Sequence, residues 1–234
     1  MKTHLSKLTV ALLSALVLSA CGGGDNATTP SYGGPALVVD ASGYSSFNST
    51  ALGLTLVALP TEALSVAEKD SLAFMREEEK LAHDVYAQMD ARWGASTRVF
   101  GNIASSEATH TEAVRQLLLR YSLVDPAATL AAGVFQNSTL QGLYTQLVAS
   151  GAVSLIEALK VGAAIEEIDM LDINTALIGI DNQDIRLVYD SLLKGSRNHL
   201  RSFVSTLLNQ GVTYLPQYMD PVAYAAIVNS PIER

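Results

Sequence analysis

The sequence predicts an all-α protein, an antiparallel four-helix bundle with one long crossover between its second and third helices. Three observations carry this. Ser65-x-x-Glu68 and Ser154-x-x-Glu157 are capping boxes, in which a serine and a glutamate satisfy each other's free backbone N–H groups at a helix start. Four long stretches repeat their inward positions at spacings of three and four. Finally, the connections inside each helix pair are short, whereas a long one runs from Tyr121 to Ser154, as in one-crossover bundles.

The first helix runs from Ser65 to about Ala91, with Leu72, Met75, Glu79, Ala82, Tyr86 and Met89 on one face, and Trp93-Gly94 ends it. The second spans about Arg98 to Tyr121, with Phe100, Ile103, Glu107, His110, Val114, Leu117 and Tyr121 inward, and Asp125-Pro126 follows. The crossover holds a short helix, about Leu140 to Ala149. The third long helix follows Ser154 and turns Leu155, Leu159, Gly162, Glu166, Asp169 and Ile173 inward. Asp181 is the expected cap of the fourth, which ends near Gly211 with Ile185, Val188, Leu192, Ser196, His199 and Phe203 on its stripe. Residues 64–211 thus form the bundle, and residues 212–234 a tail with a short helix after Asp220-Pro221.

The residues ahead of the bundle read as an address. Lys2 and Lys7 precede an apolar run from Leu8 to Ala20 that is too short to cross a bilayer as a helix, so residues 1–20 read as a secretory signal. Leu18-Ser19-Ala20-Cys21 resembles the bacterial lipobox. That implies cleavage before a lipid-modified Cys21, attachment to a membrane through the lipid and a place in the bacterial cell envelope. Gly22 rather than aspartate follows, which implies the outer membrane where the cell has one; a cleaved signal with a free Cys21 is the alternative. Residues 21–35 are Gly, Ser, Thr, Asn and Pro rich and form a flexible tether. Residues 36–63 regain apolar content without helical period and are expected as short strands or an extended arm on the bundle.

Composition removes several function classes. A net charge of −8 excludes a phosphate-tracking nucleic-acid binder. One cysteine excludes a disulfide framework, an iron–sulfur site or a zinc-thiolate site within the chain.

An inward stripe should be apolar, yet three of the four long helices carry carboxylates there and two carry histidines. A carboxylate in a dry bundle core costs several kcal/mol unless it is paired or binds metal. Glu107-x-x-His110 is the most telling, since positions i and i+3 point the same way and offer an oxygen and a nitrogen ligand. Hard oxygens with imidazoles suit iron or manganese. Singly, each residue has a plainer reading: a buried Glu107–His110 pair, or a hydrogen-bonded His199. Glu77 and Glu78 read as a solvated face, and Glu112 and Glu167 as outward-facing.

Glu79-Lys-Leu-Ala-His-Asp-Val-Tyr86, Asn102-Ile-Ala-Ser-Ser-Glu107-Ala-Thr-His110 and Ala164-Ile-Glu166-Glu167 resemble ligand segments of the ferritin-like superfamily, of rubrerythrin type. Met75-Arg-Glu-Glu-Glu-Lys-Leu-Ala, Ser106-Glu107-x-x-His110 and Gly195-Ser-Arg-Asn-His199-Leu-Arg are similar to a prokaryotic ferritin-like family of unestablished function, from about Leu64 to Leu208. The resemblance implies a ferritin-like bundle and two iron (or manganese) ions. The superfamily's fourth helix normally offers a second Glu-x-x-His, but here it is Ser196-x-x-His199. Asp169, one turn past Glu166, is expected to replace the missing carboxylate. The expected metal set is then Glu79, Glu107, His110, Glu166, Asp169 and His199. Tyr86 and Tyr189 are expected as core aromatics beside that set. His83 reads as a rim residue, with ligation or donation to a ligand carboxylate as its alternative. Gly195-Ser196 suggests a local bulge, or else a notch for close helix packing.

The function implied is an envelope-anchored metal protein acting on peroxide or dioxygen, or oxidising Fe(II). With no Cys-x-x-Cys module, an external electron donor is required for turnover. A metal store without turnover and a metal-free structural or interaction lipoprotein with a polar core are the alternatives. The oligomeric state is open, a homodimer being one option.

Overall fold

The computed structural model describes residues 35–40 and 42–234; the signal, Cys21 and nearly all of the tether lie outside them. The described chain is mostly helical. A hairpin of β1 (Leu37–Val39) and β2 (Ser45–Phe47) leads into α1 (Ser49–Ala58), then α2 (Val66–Trp93) and α3 (Val99–Arg120). The crossover holds α4 (Ser138–Gly151), and α5 (Leu155–Leu177), α6 (Gln183–Asn209) and α7 (Pro221–Val228) follow. The long helices pair as α2 on α3 and α5 on α6, and contacts of α3 with α6 and α2 with α5 close the four around one core. Leu72, Tyr86, Phe100, Ile103, Val114, Leu159, Ile173, Val188, Leu192 and Phe203 fill it, all fully buried. No described helix is long and apolar enough to cross a membrane.

The helix starts follow the sequence unevenly. At α2 the box forms in full: Ser65 Oγ accepts from the Glu68 N–H, and Glu68 accepts from the Ser65 N–H. At α5 only half forms. Ser154 accepts from the Glu157 N–H, while the Glu157 carboxylate turns to Lys160. The expected Asp181 cap of α6 is not made. Asn182 occupies that position without a side-chain cap bond, and the N–H groups of Asp181 and Asn182 reach Glu68 Oε1 instead.

Of residues 36–63, the described ones form short strands and a helix rather than an extended arm. The strands pair antiparallel, Leu37 facing Phe47 and Val39 facing Ser45, and β2 lies on α3. Gly43, at φ 89°, makes the turn, with Asp40 Oδ1 accepting from the Ser42 and Tyr44 N–H groups. The run Leu52-Gly-Leu54-Thr-Leu56-Val57 alternates like a strand but is helical in α1. Asn48 caps it by accepting from the Ala51 N–H, and its Leu52 and Leu56 are buried one turn apart.

The glutamate run of α2 is not a solvated face, because the crossover is laced down over it. Arg76 pairs with Asp125 at 3.0 Å, Glu77 accepts from the Gln136 and Asn137 N–H groups, and Asp84 accepts from the Gly133 N–H. Glu78 is buried as well. Glu167 is likewise fully buried rather than outward. It accepts from the Tyr214 hydroxyl and from the N–H groups of Gln217, Tyr218 and Met219, which fastens the tail to α5.

Glu167→Ala strips one acceptor from four donors, so unfolding stability should fall by about 3 kcal/mol. Urea denaturation measures the loss, and amide exchange at Gln217–Met219 should accelerate with it. Wild-type values of both would show that the tail is held elsewhere.

Candidate metal centre

The four long helices bring Glu79 (α2), Glu107 and His110 (α3), Glu166 (α5) and His199 (α6) together in the core. Each is at most 3% exposed. They form two groups, Glu79–Glu107–His110 and Glu107–Glu166–His199; within each, one potential ligand atom per residue lies within 4.8 Å of the others. Glu107 belongs to both groups. Its Oε2 stands 2.8 Å from His110 Nδ1, and its Oε1 stands 2.8 Å from His199 Nδ1. Glu79 approaches His110 Nδ1 at 3.5 Å and Glu166 approaches His199 Nδ1 at 3.6 Å, so one half of the centre mirrors the other. The two imidazoles stack at 5.4 Å with an interplanar angle of 18°.

The chemistry of this donor set fits a metal. Both Nδ1 atoms are buried and lack a hydrogen-bond partner, as does Glu79 Oε1, although carboxylate oxygens crowd them. A buried nitrogen 2.8 Å from an oxygen but without an N–H bond to it can offer its lone pair to a shared cation. The electrostatics show how strongly these groups act on one another. Burial would raise Glu107, but the imidazoles of His110 and His199 hold it well below the carboxylate range. Burial would lower His199, but Glu107 and Glu166 outweigh it and hold the ring up at about 9. Burial pushes the Glu79 carboxyl up to about 8, against the pull of His110. A divalent ion in each group would relieve these conflicts directly.

Asp169 lies in neither group. Ser196 Oγ donates to its Oδ2, while its Oδ1 has no partner and Glu79 and Glu166 act on it electrostatically. Tyr86 donates to Glu166 Oε1 at 2.6 Å and has the Gly162 carbonyl at 3.2 Å. Burial, then Glu166 and Glu107, keep that phenol well above its ordinary pKa, hence protonated as a donor. Tyr189 instead meets Ser71 Oγ at 2.9 Å, and His83 stands at the surface edge against Asp84, 37% exposed. Cys21 lies outside the described residues.

Beyond the expected residues, Ser45 also touches the centre, and Gly195 packs against it. Ser45 Oγ, on β2, lies 2.8 Å from His110 Nε2 and 3.3 Å from His199 Nε2. Nothing in a strand-like Ser45-Ser46-Phe47 signals contacts with histidines so distant in sequence. Gly195 sits in an uninterrupted helix, so the structure has a notch there rather than a bulge. A Cβ on it would stand 2.5 Å from His110 Cε1 and 2.8 Å from Ser45 Oγ.

The model of an uncharacterized protein domain, DUF2202, matches residues 68–231. The chain is 46% identical over 176 residues to the uncharacterized protein MJ0754 of Methanocaldococcus jannaschii, covering 75% of this chain and 94% of that protein. The crystal structure of the hypothetical protein MJ0754 from Methanococcus jannaschii is similar with a TM-score of 0.72, covering 75% of this chain and 99% of that one.

Gly195→Ala drives a methyl group into the His110 ring and should cost about 2 kcal/mol of stability as an overpacked core. Chemical denaturation of the purified variant reads this. Unchanged stability would mean that the imidazole and the Ser45 hydroxyl are free to move aside.

Proposed function

The chain belongs to the DUF2202 family of uncharacterized proteins, and we propose that it is a ferritin-like four-helix-bundle protein holding two iron or manganese ions. One observation carries the reading: two buried, unpartnered imidazole nitrogens converge on opposite oxygens of one shared carboxylate. Glu79, Glu107 and His110 would hold one ion, and Glu166, Glu107 and His199 the other. Carboxylates and imidazoles without thiolates favour iron or manganese.

Iron bound there would supply redox chemistry toward peroxide or dioxygen, or turn over Fe(II) itself, with electrons from an external donor. The chain's own residues set the surroundings. Buried Phe203, Phe100 and Ile103 exclude water from the core. Tyr86 orients the Glu166 carboxylate and keeps its proton. Glu79, Glu107 and Glu166 leave one charge of two divalent ions unbalanced, and Asp169, held by Ser196, supplies it. The lipobox-like Cys21 adds an envelope anchor to this reading; fatty-acid labelling present in the wild type and lost in Cys21→Ala supports it, and persistent labelling refutes it.

Metal analysis of untagged protein, with variants, tests the centre. Glu107→Ala touches both groups and should reduce metal from about two ions per chain to almost none, as expected for a two-metal site. His110→Ala or His199→Ala touches one group and should leave about one ion. A metal-free wild type would leave the polar core as a hydrogen-bonded device for specificity.

A further inference from the structure

The centre is built from the four long helices, yet one of its contacts comes from outside them and outside the residues matched by the family model. We propose that the N-terminal hairpin is part of the metal centre, with Ser45 as the positioning residue that ties hairpin docking to metal occupancy. The inference rests on the metal reading above and names a dependence which that reading does not contain.

Ser45 is 1% exposed, and its hydroxyl stands between the Nε2 atoms of His110 and His199. A neutral imidazole carries its proton on one nitrogen and a lone pair on the other. For both Nδ1 lone pairs to face the carboxylates, both Nε2 atoms must carry hydrogen and each needs an acceptor. A serine oxygen has two lone pairs and accepts from both at once. Ser45 therefore matches the one tautomer pairing in which both rings serve as ligands. If either ring instead carried its proton on Nδ1, Ser45 would have to donate to its Nε2, and the match between the two halves would be lost.

The rest of the strand holds the hydroxyl there. Phe47, two residues on and on the same face, meets the His110 ring edge-on at 5.8 Å and 78°. The Phe47 N–H donates to Thr109 Oγ1, beside His110 on α3, at 3.0 Å. Gly195 leaves just the space that the hydroxyl and the imidazole fill. The back of both rings is thus covered by β2, and undocking the hairpin would release both rings together. Coupling is reciprocal: if the docked hairpin strengthens metal binding, bound metal strengthens docking by the same factor.

Cobalt(II) binding to the full chain tests this. Ser45→Ala should weaken cobalt affinity by about 10–100-fold, the usual effect of losing a partner behind a ligand. The cobalt absorption bands should shift with it, a signature that a general loss of stability does not produce. Ser46→Ala, exposed on the same strand, should match the wild type in both. Wild-type affinity and spectrum in Ser45→Ala overturn the proposal and leave the metal reading standing. A wild type that takes up no cobalt overturns both. Should Ser45→Ala fail to fold, hydrogen exchange on the wild type decides. Cobalt should slow exchange at Ser45–Phe47 about tenfold or more, in line with that coupling. Exchange there that ignores cobalt overturns the proposal.

Discussion

The structure depends on one carboxylate shared by two buried imidazoles. Glu107 faces His110 from its own helix and His199 from α6, and the second contact requires α3 and α6 to lie close at that level. The missing Cβ atoms show how close. Gly195 leaves room for the His110 ring, and Gly162 leaves room for the Phe203 ring, which would stand 2.4 Å from an added Cβ. Such approaches concentrate charge in a close-packed interior, where every polar group must have a defined partner. Tyr86 behind Glu166 and Ser45 behind both histidines supply two of those partners, while both Nδ1 atoms and Glu79 Oε1 have none among the described residues.

The centre is nearly symmetric, and one of its asymmetries is especially informative. Three residues before His110 stands Glu107; three residues before His199 stands Ser196. A serine brings no carboxyl group, but it can hold one, and Ser196 holds Asp169 from the neighbouring helix. This keeps a fourth carboxylate beside the two groups while leaving Glu107 alone between the imidazoles. Glu78 adds a further buried carboxyl, which burial and then Asp169 and Asp172 push well above the ordinary range. The acidic flank of the centre therefore lies between α2 and α5, while the opposite flank is closed by the hairpin.

What was legible in the sequence follows from which interactions are local. The Ser65 box and the inward spacing of Glu79, Glu107, His110, Glu166 and His199 are set by residues a few positions apart, and the long crossover by chain length alone. The structure accordingly brings those five side chains together. Long-range polar partners were not legible. Glu77 and Glu167 look solvent-facing by helical phase, but each accepts backbone N–H groups of segments about fifty or sixty residues away. Asp181 looks like a cap until Glu68, in another helix, takes over its N–H. In α1, an alternating pattern lost to a capping Asn48 and to burial at Leu52 and Leu56. Ser45 had no local signal at all, since its role exists only once β2 lies on α3.

Diffraction from crystals of the protein loaded with Fe(II) without oxygen, recorded on both sides of the iron absorption edge, tests the central claim most directly. The predicted result is two anomalous peaks, one inside the Glu79–Glu107–His110 group and one inside the Glu107–Glu166–His199 group. A map without iron in either group, or with iron bound only elsewhere on the chain, would contradict it.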